Sequence, residues 1–202
     1  MKEIYLLRHG QTAFNVEKRV QGKGVNSSLD EVGTAQGRAF FEYYRNHGFD
    51  LIITSSLNRT KETVKHFIEE LNIPQQAFEE LDEISWGIYE GQPASEEMHR
   101  EHKNVITHWS HGNYDARISE GESALEMQSR LHKFLSHLIT LPQKRLLICT
   151  HGGTLAFLMT IFQELPLSRM PEFKHRNTGL CKFHFDGTQF HLELRDDLSH
   201  LE

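Results

Sequence analysis

A chain of 202 residues, 38% hydrophobic and 25% charged, is long enough to bury one sizeable core and shows no linker or composition break that would divide it. Its net charge of −6 provides no general attraction to nucleic acid or to an anionic membrane surface. No stretch approaches the ~20 apolar residues of a membrane span, and the apolar run after Lys2 is interrupted at once by Arg8, which does not read as a secretory leader. Cys149 and Cys181 both sit in strand-like runs and read as buried free thiols in a reducing cytoplasm.

In chain order, residues 3–7, with the apolar run Ile4-Tyr5-Leu6-Leu7, read as a short buried strand. It ends in Arg8-His9-Gly10-Gln11-Thr12, which brings a cation, a nucleophile and a tight turn to one point. A helix over 30–47 follows, then a strand over 50–54 and a helix over 56–71 marked by Val64, Phe67, Ile68 and Leu71. Arg59 falls in the first turn of that helix, where the dipole disfavours a cation by roughly 0.3–1 kcal/mol. An anionic ligand explains its position better than helix stability does. A strand over 77–81 leads into Leu81-Asp82-Glu83-Ile84-Ser85-Trp86-Gly87-Ile88-Tyr89-Glu90-Gly91, a loop with acids beside large aromatics. A carboxyl group packed against apolar rings is suited to general-acid work.

A helical insert over 93–111 is followed by a helix over 123–140 that opens on the capping pair Ser123 and Glu126. The next strand, 145–150, ends in His151-Gly152-Gly153, and Leu155, Leu158, Met159 and Phe162 mark a helix over 152–163. His151 thus stands between a strand end and a helix N-terminus, a position that favours an anion. A final hairpin alternates Cys181, Phe183 and Phe185, turns at Asp186-Gly187 and returns through Phe190, Leu192 and Leu194. Alternating strands and helices predict an α/β fold: a three-layer α/β/α sandwich on a mostly parallel sheet, with the hairpin as an antiparallel edge. No internal repeat or low-complexity tract appears, and residues 1–202 read as a single domain with an insert over 93–122.

Strand ends therefore supply two His and two Arg, and a loop supplies a carboxyl group, the parts needed to move a phosphoryl group through a phosphohistidine. The chain resembles the histidine phosphatase superfamily, the group that includes cofactor-dependent phosphoglycerate mutases and small broad-specificity phosphatases. The matching blocks are Arg8-His9-Gly10-Gln11-Thr12 with Asn15, Ser55-Ser56-Leu57 with Arg59 and Thr63, Glu83 followed by Trp86-Gly87-x-Tyr89-Glu90-Gly91, Gly121-Glu122-Ser123, and Thr150-His151-Gly152-Gly153. They run in the family's order.

This resemblance implies a phosphoglycerate mutase-like fold and a set of roles. His9 is the nucleophile, neutral, with its Nδ1–H held by a carbonyl. Arg8 and Arg59 grip phosphate oxygens through planar guanidinium groups. His151 donates a further hydrogen bond from its helix start, and Gly10 lets phosphate come close. Glu83, chosen over Glu80, Asp82 and Glu90 by its place before the Trp86 block, is the proton donor. Asn15 and Gln21 are neutral donors to the same oxygens, with Gly22 and Gly152 lining the substrate site. The counter-charge carried by Arg and His implies no metal and no cofactor. Fourteen histidines raise a metal site as an alternative, but the pairs His99/His102 and His108/His111 lack a third ligand at known spacing. The expected substrate is a small phosphomonoester, chosen partly by the insert, with no nucleic acid or membrane partner. A homodimer through the hairpin stays open. Glu83 is followed by Ile84-Ser85-Trp86-Gly87 rather than the Arg-His-Tyr-Gly of the mutases, which favours a phosphatase over mutase-type transfer. A non-catalytic phosphate-binding module is a third reading, opposed by the presence of both nucleophile and acid.

Overall fold

The computed structural model describes all residues 1–202. Six strands form one sheet: β1 (Lys2–Arg8), β2 (Leu51–Ser55), β3 (Gln75–Phe78), β4 (Arg145–Thr150), β5 (Leu180–Phe185) and β6 (Phe190–Asp197), in the order β3-β2-β4-β1-β5-β6. The first four are mutually parallel, and β5 and β6 complete an antiparallel edge. Six α-helices accompany them: α1 (Ala13–Val16), α2 (Glu31–Tyr44), α3 (Asn58–Glu69), α4 (Glu96–Ser110), α5 (Ala124–Thr140) and α6 (Gly152–Phe162).

Period-two alternation along the central strands decides which layer each side chain joins. Tyr5, Leu7, Ile52, Leu147 and Cys149 point to one face, where Phe40, Phe41, Val64 and Phe67 of α2 and α3 cover them. Ile4, Leu6, Ile53, Leu146 and Ile148 point to the other, under α4, α5 and α6. This is the three-layer α/β/α arrangement with a mixed sheet. No helix is long and apolar enough to cross a membrane.

Helix starts follow the sequence signals. Asp30 accepts from the Gly33 amide at 2.8 Å, and Ser123 and Glu126 form a reciprocal capping box. Two starts differ. Neither α3 nor α6 has a side-chain cap from its own N-cap residue, Leu57 or His151, so their free amides are left for partners elsewhere in the chain.

Three local differences from the sequence reading have physical causes. β3 is short and ends at Phe78, because Glu79–Leu81 turns into a 3-10 coil that carries Leu81 into the core. The hairpin loop is longer than Asp186-Gly187: the Asp186 carboxylate accepts from the amides of both Thr188 and Gln189, at 2.8 and 2.9 Å. Leu192 and Leu194, through which the hairpin returns, are each 37% exposed; β6 is the sheet edge, and its pairing with β5 shifts register between Phe183↔Leu192 and Lys182↔Leu194.

Phe67 is fully buried and packs edge-on against Phe40, Phe41 and Phe49. Phe67→Ala is expected to cost about 3–5 kcal/mol in chemical denaturation. His200, on the C-terminal turn Ser199–Leu201, packs edge-on against Phe40 at 5.1 Å, and burial lowers its pKa to about 4. An unfolded histidine titrates near 6.5. Between those values the unfolded chain takes up a proton that the folded one refuses, so stability falls as pH drops from about 6.5 towards 4 and is level above. His200→Gln is expected to make that decline shallower in thermal melts taken across this range.

Candidate active site

β2, β4 and β1 are neighbours and parallel, so their carboxyl ends open on the same edge of the sheet, where open α/β sheets place their sites. β1 delivers Arg8 and His9, β4 leads into His151, and β2 leads into α3 with Arg59. The His9 and His151 rings lie 5.2 Å apart between centroids.

His9 is buried, and its Nδ1 lies 2.7 Å from the Gly10 carbonyl oxygen. A carbonyl only accepts, so Nδ1 carries the proton and the Nε2 lone pair is left free. Burial first, then the Arg8 and Arg59 guanidinium groups, hold the His9 pKa well below the usual histidine range.

Both arginines sit beside His9 without an opposing carboxylate. Arg59 is fully buried; it donates from Nε to His151 Nδ1 at 3.1 Å, from Nη1 to the Val25 carbonyl at 2.6 Å and from Nη2 to that of Gly22 at 3.5 Å. Arg8 donates from Nη1 to the His175 carbonyl at 2.7 Å, while its buried Nε has no partner. No carboxylate oxygen lies within the 4.0 Å of an ion pair from either. Buried guanidinium groups are ordinarily paired, and an unpaired set beside a free imidazole nitrogen forms a cradle for an oxyanion.

His151 differs from the expected donor. Its Nδ1 accepts from Arg59, which places the proton on Nε2, 2.8 Å from Ser55 Oγ. Burial, then Arg59, His9 and Arg8, push its pKa well below normal. In this state His151 orients Arg59, and no ring N–H is free for a ligand.

The α6 N-terminus is likewise already occupied, and by Glu83. The Glu83 carboxylate accepts from the amides of Gly153 and Thr154, each at 3.0 Å, from its neighbour Ile84 at 3.0 Å, and from Thr154 Oγ1 at 3.3 Å. The expected apolar surroundings are joined by a helix start, and Glu83 is the missing cap of α6. The other candidate acids are spent elsewhere. Asp82 accepts from the amide and hydroxyl of Ser56 at 2.8–2.9 Å, pinning the turn into α3. Glu90 accepts from the amides of Gly24 and Trp86 and from Ser85 Oγ.

Asn15 Oδ1 accepts from the Thr12 amide at 3.0 Å and Gln21 Oε1 from the Ser27 hydroxyl at 2.7 Å, and the one Thr12 hydroxyl proton serves either oxygen, at 3.1 and 3.0 Å. These bonds fix each amide so that its NH2 faces away from them, as a neutral donor requires. Gly22 contributes only the carbonyl on Arg59. Gly152 packs on Arg8: a Cβ there would lie 3.4 Å from Arg8 Nε. Gly10, expected to admit phosphate, instead admits α2, because a Cβ there would lie 2.6 Å from the Gly33 carbonyl oxygen.

Several supporting residues had no assigned role at the level of sequence. Thr63 Oγ1 accepts from the Gly10 amide at 2.9 Å and donates to the Arg59 carbonyl at 2.6 Å, joining the β1 turn to α3. Arg130 forms a bidentate pair with Glu122, at 2.7 and 3.0 Å, and reaches the Glu80 and Glu83 carbonyls. Glu122 was visible in its block, but its partner eight residues on was not.

Beside Glu83 and Arg8 lies a cavity of about 480 Å³ walled by Trp86, Trp109, Phe157 and Phe173, with Lys174 at its mouth. A second, of about 460 Å³, holds Asn15, Gln21, Phe14 and Tyr89. Trp86 and His102, with ring centroids 4.7 Å apart, belong to both and divide them. The insert thus stands over the site through α4.

A model of the histidine phosphatase superfamily (branch 1) matches residues 4–198. A probable phosphoglycerate mutase of Yersinia pestis is 29% identical over 208 residues, covering 100% of this chain and 96% of that protein. Among solved structures, YhfR of Bacillus stearothermophilus superposes with a TM-score of 0.86 at 27% identity over 100% of both chains. The α-ribazole phosphatase of Shigella flexneri gives 0.85 at 21% identity over 96% of each chain. A mycobacterial glucosyl-3-phosphoglycerate phosphatase gives 0.83 at 22% identity over 97% of this chain and 99% of that one. With a family model spanning almost its whole length, the chain belongs to the histidine phosphatase superfamily.

Proposed function

We propose that the protein is a phosphomonoesterase that hydrolyses a small phosphorylated metabolite through a phosphohistidine at His9. The observation that carries this reading is two guanidinium groups without an ion-pair partner, Arg59 fully buried and Arg8 half-buried with a partnerless Nε, beside a histidine whose Nε2 lone pair is free. A dianionic phosphoryl group supplies the missing counter-charge, and family membership supports the same chemistry.

In the first half-reaction His9 Nε2 attacks phosphorus while the Gly10 carbonyl holds Nδ1–H. The bond from phosphorus to the leaving oxygen breaks, and Glu83 gives that oxygen its proton. Arg8 Nε, the uncommitted N–H groups of Arg59, and the amides of Asn15 and Gln21 bind the equatorial oxygens. Preorganised donors of this kind are worth roughly 3 kcal/mol each on removal. A bound dianion also favours a proton on His151 Nδ1, which turns it from an acceptor of the Arg59 bond into a donor to phosphate. In the second half-reaction Glu83 takes a proton from water, the water oxygen attacks phosphorus, and the bond from phosphorus to Nε2 breaks, returning neutral His9. This chemistry calls on no metal or cofactor.

Mutase-type transfer is the competing reading, favoured by the Yersinia relative's name. The Ile84-Ser85-Trp86-Gly87 sequence after Glu83, in place of the Arg-His-Tyr-Gly of the mutases, favours hydrolysis. With p-nitrophenyl phosphate and a panel of metabolite phosphates, free phosphate is expected to outpace any isomerisation of phosphoglycerate; the reverse order would establish the mutase. His9→Ala is expected to lower kcat by about 10⁴-fold or more, and Arg59→Gln by roughly 10²–10³-fold. Because the His9 pKa is depressed, activity should persist below the usual histidine range and be greatest at mildly acidic to neutral pH. A rate that climbs steadily above pH 9 would remove Glu83 from the role of proton donor.

A further inference from the structure

β5 runs antiparallel beside β1, so the segment that enters β5 passes the point where β1 ends. That segment, His175-Arg176-Asn177-Thr178, has a left-handed residue at its centre of contact. Thr178 is fully buried with φ +53°, a conformation that a β-branched residue adopts only under constraint and that collects at functional sites.

The bonds that hold this conformation all end on the site. The Thr178 amide donates to the Arg8 carbonyl at 3.1 Å and stands 3.4 Å from the His9 carbonyl oxygen. Asn177 Nδ2 donates to the His9 carbonyl at 3.0 Å and to Asn15 Oδ1 at 3.3 Å. The His175 carbonyl accepts from Arg8 Nη1. From behind, His200 Nε2 donates to Thr178 Oγ1 at 3.1 Å, since the Thr178 hydroxyl donates its own proton to the Asn177 carbonyl at 2.8 Å.

We propose that Asn177 is a positioning residue for phosphoryl transfer: one side-chain NH2 ties the backbone of the nucleophile His9 to the amide of Asn15. The strained Thr178 backbone is what turns that NH2 towards both. Asn177 acts through His9 and Asn15 and does not itself meet the phosphoryl group. The proposal rests on the phosphatase reading above. Its energetic basis is that a displacement of about 1 Å in a reacting atom can cost 10²-fold in rate, while ground-state binding by the two guanidinium groups is left in place.

The test compares the parent with Asn177→Ala and with the isosteric Asn177→Asp, which keeps the volume and loses the donor. The readouts are kcat and KM for p-nitrophenyl phosphate, inhibition by inorganic phosphate, and melting temperature. Both variants are expected to lose roughly 10- to 100-fold in kcat, with KM and the phosphate inhibition constant within threefold of the parent. Melting temperatures are expected to stay within a few degrees for at least the isosteric variant. Thr178→Gly removes the hydroxyl and keeps the amide, and is expected to retain kcat within about fivefold, because the Arg8 carbonyl is held by the backbone. Parent-like kcat in both Asn177 variants overturns the proposal and leaves the phosphatase reading standing. A loss of kcat that follows a loss of folded protein in both variants, with parent-like turnover per folded molecule, also overturns it. A parent that releases no phosphate from any ester overturns both.

Discussion

Two guanidinium groups held beside one imidazole with no carboxylate in ion-pair contact constrain everything around this site. Arg8 and Arg59 converge on His9 from two different strand ends, and their partners are the carbonyls of Val25, Gly22 and His175 and a neutral imidazole. Those partners satisfy donors without cancelling charge. Longer-range attraction to Glu83, and for Arg59 to Asp82 and Glu90, offsets part of the charge without an ion-pair contact. An anion that fits the cradle stabilises the folded chain by mass action. Burial first, then the two guanidinium groups, keep His9 neutral.

The strand ends and their chemistry were legible in the sequence because they are local. Ile4-Tyr5-Leu6-Leu7 before Arg8-His9 and Leu146-Leu147-Ile148-Cys149 before His151 each combine a buried strand with a polar tip, and the Arg59 helix position was visible from periodicity. The faces of the sheet followed from alternation. What was not legible depends on contacts across the chain. Nothing near Glu83 announces that the α6 amides, 70 residues on, will donate to its carboxylate. Gly10 looked like room for a ligand, and the backbone of α2 fills that room. The alternation through Leu192 and Leu194 did not show that the pairing of β6 with β5 shifts register between them, because a bulge is a property of the strand pair and not of one strand. Asn177 and Thr178 belong to no periodic segment, so their importance follows only from β5 lying beside β1.

The loop that carries Glu83 is braced more heavily than a surface loop needs. Arg130 clamps its carbonyls from α5, Asp82 ties it to the α3 turn, and Glu90 gathers the amides of Gly24 and Trp86. These bonds fix the acid relative to the cradle, and they also fix Trp86, whose ring with His102 forms the wall between two cavities. In the proposed mechanism, substrate selection and proton transfer therefore share one braced segment. A change at the wall that shifts the loop will alter both.

Because Glu83 is also the cap of α6, acid–base chemistry and helix termination are the same event. In the proposed cycle the carboxyl group gives its proton to the leaving oxygen in the first half-reaction and regains one from water in the second. A protonated carboxyl accepts fewer hydrogen bonds than a carboxylate, so the Gly153 and Thr154 amides are held more loosely before transfer and more tightly after it. The first turn of α6 is then a mechanical register of the proton: each turnover tightens and releases the element that follows His151. Substitutions of Glu83 will for the same reason report two losses at once, a missing proton and an uncapped helix, and only a stability measurement alongside the rate separates them.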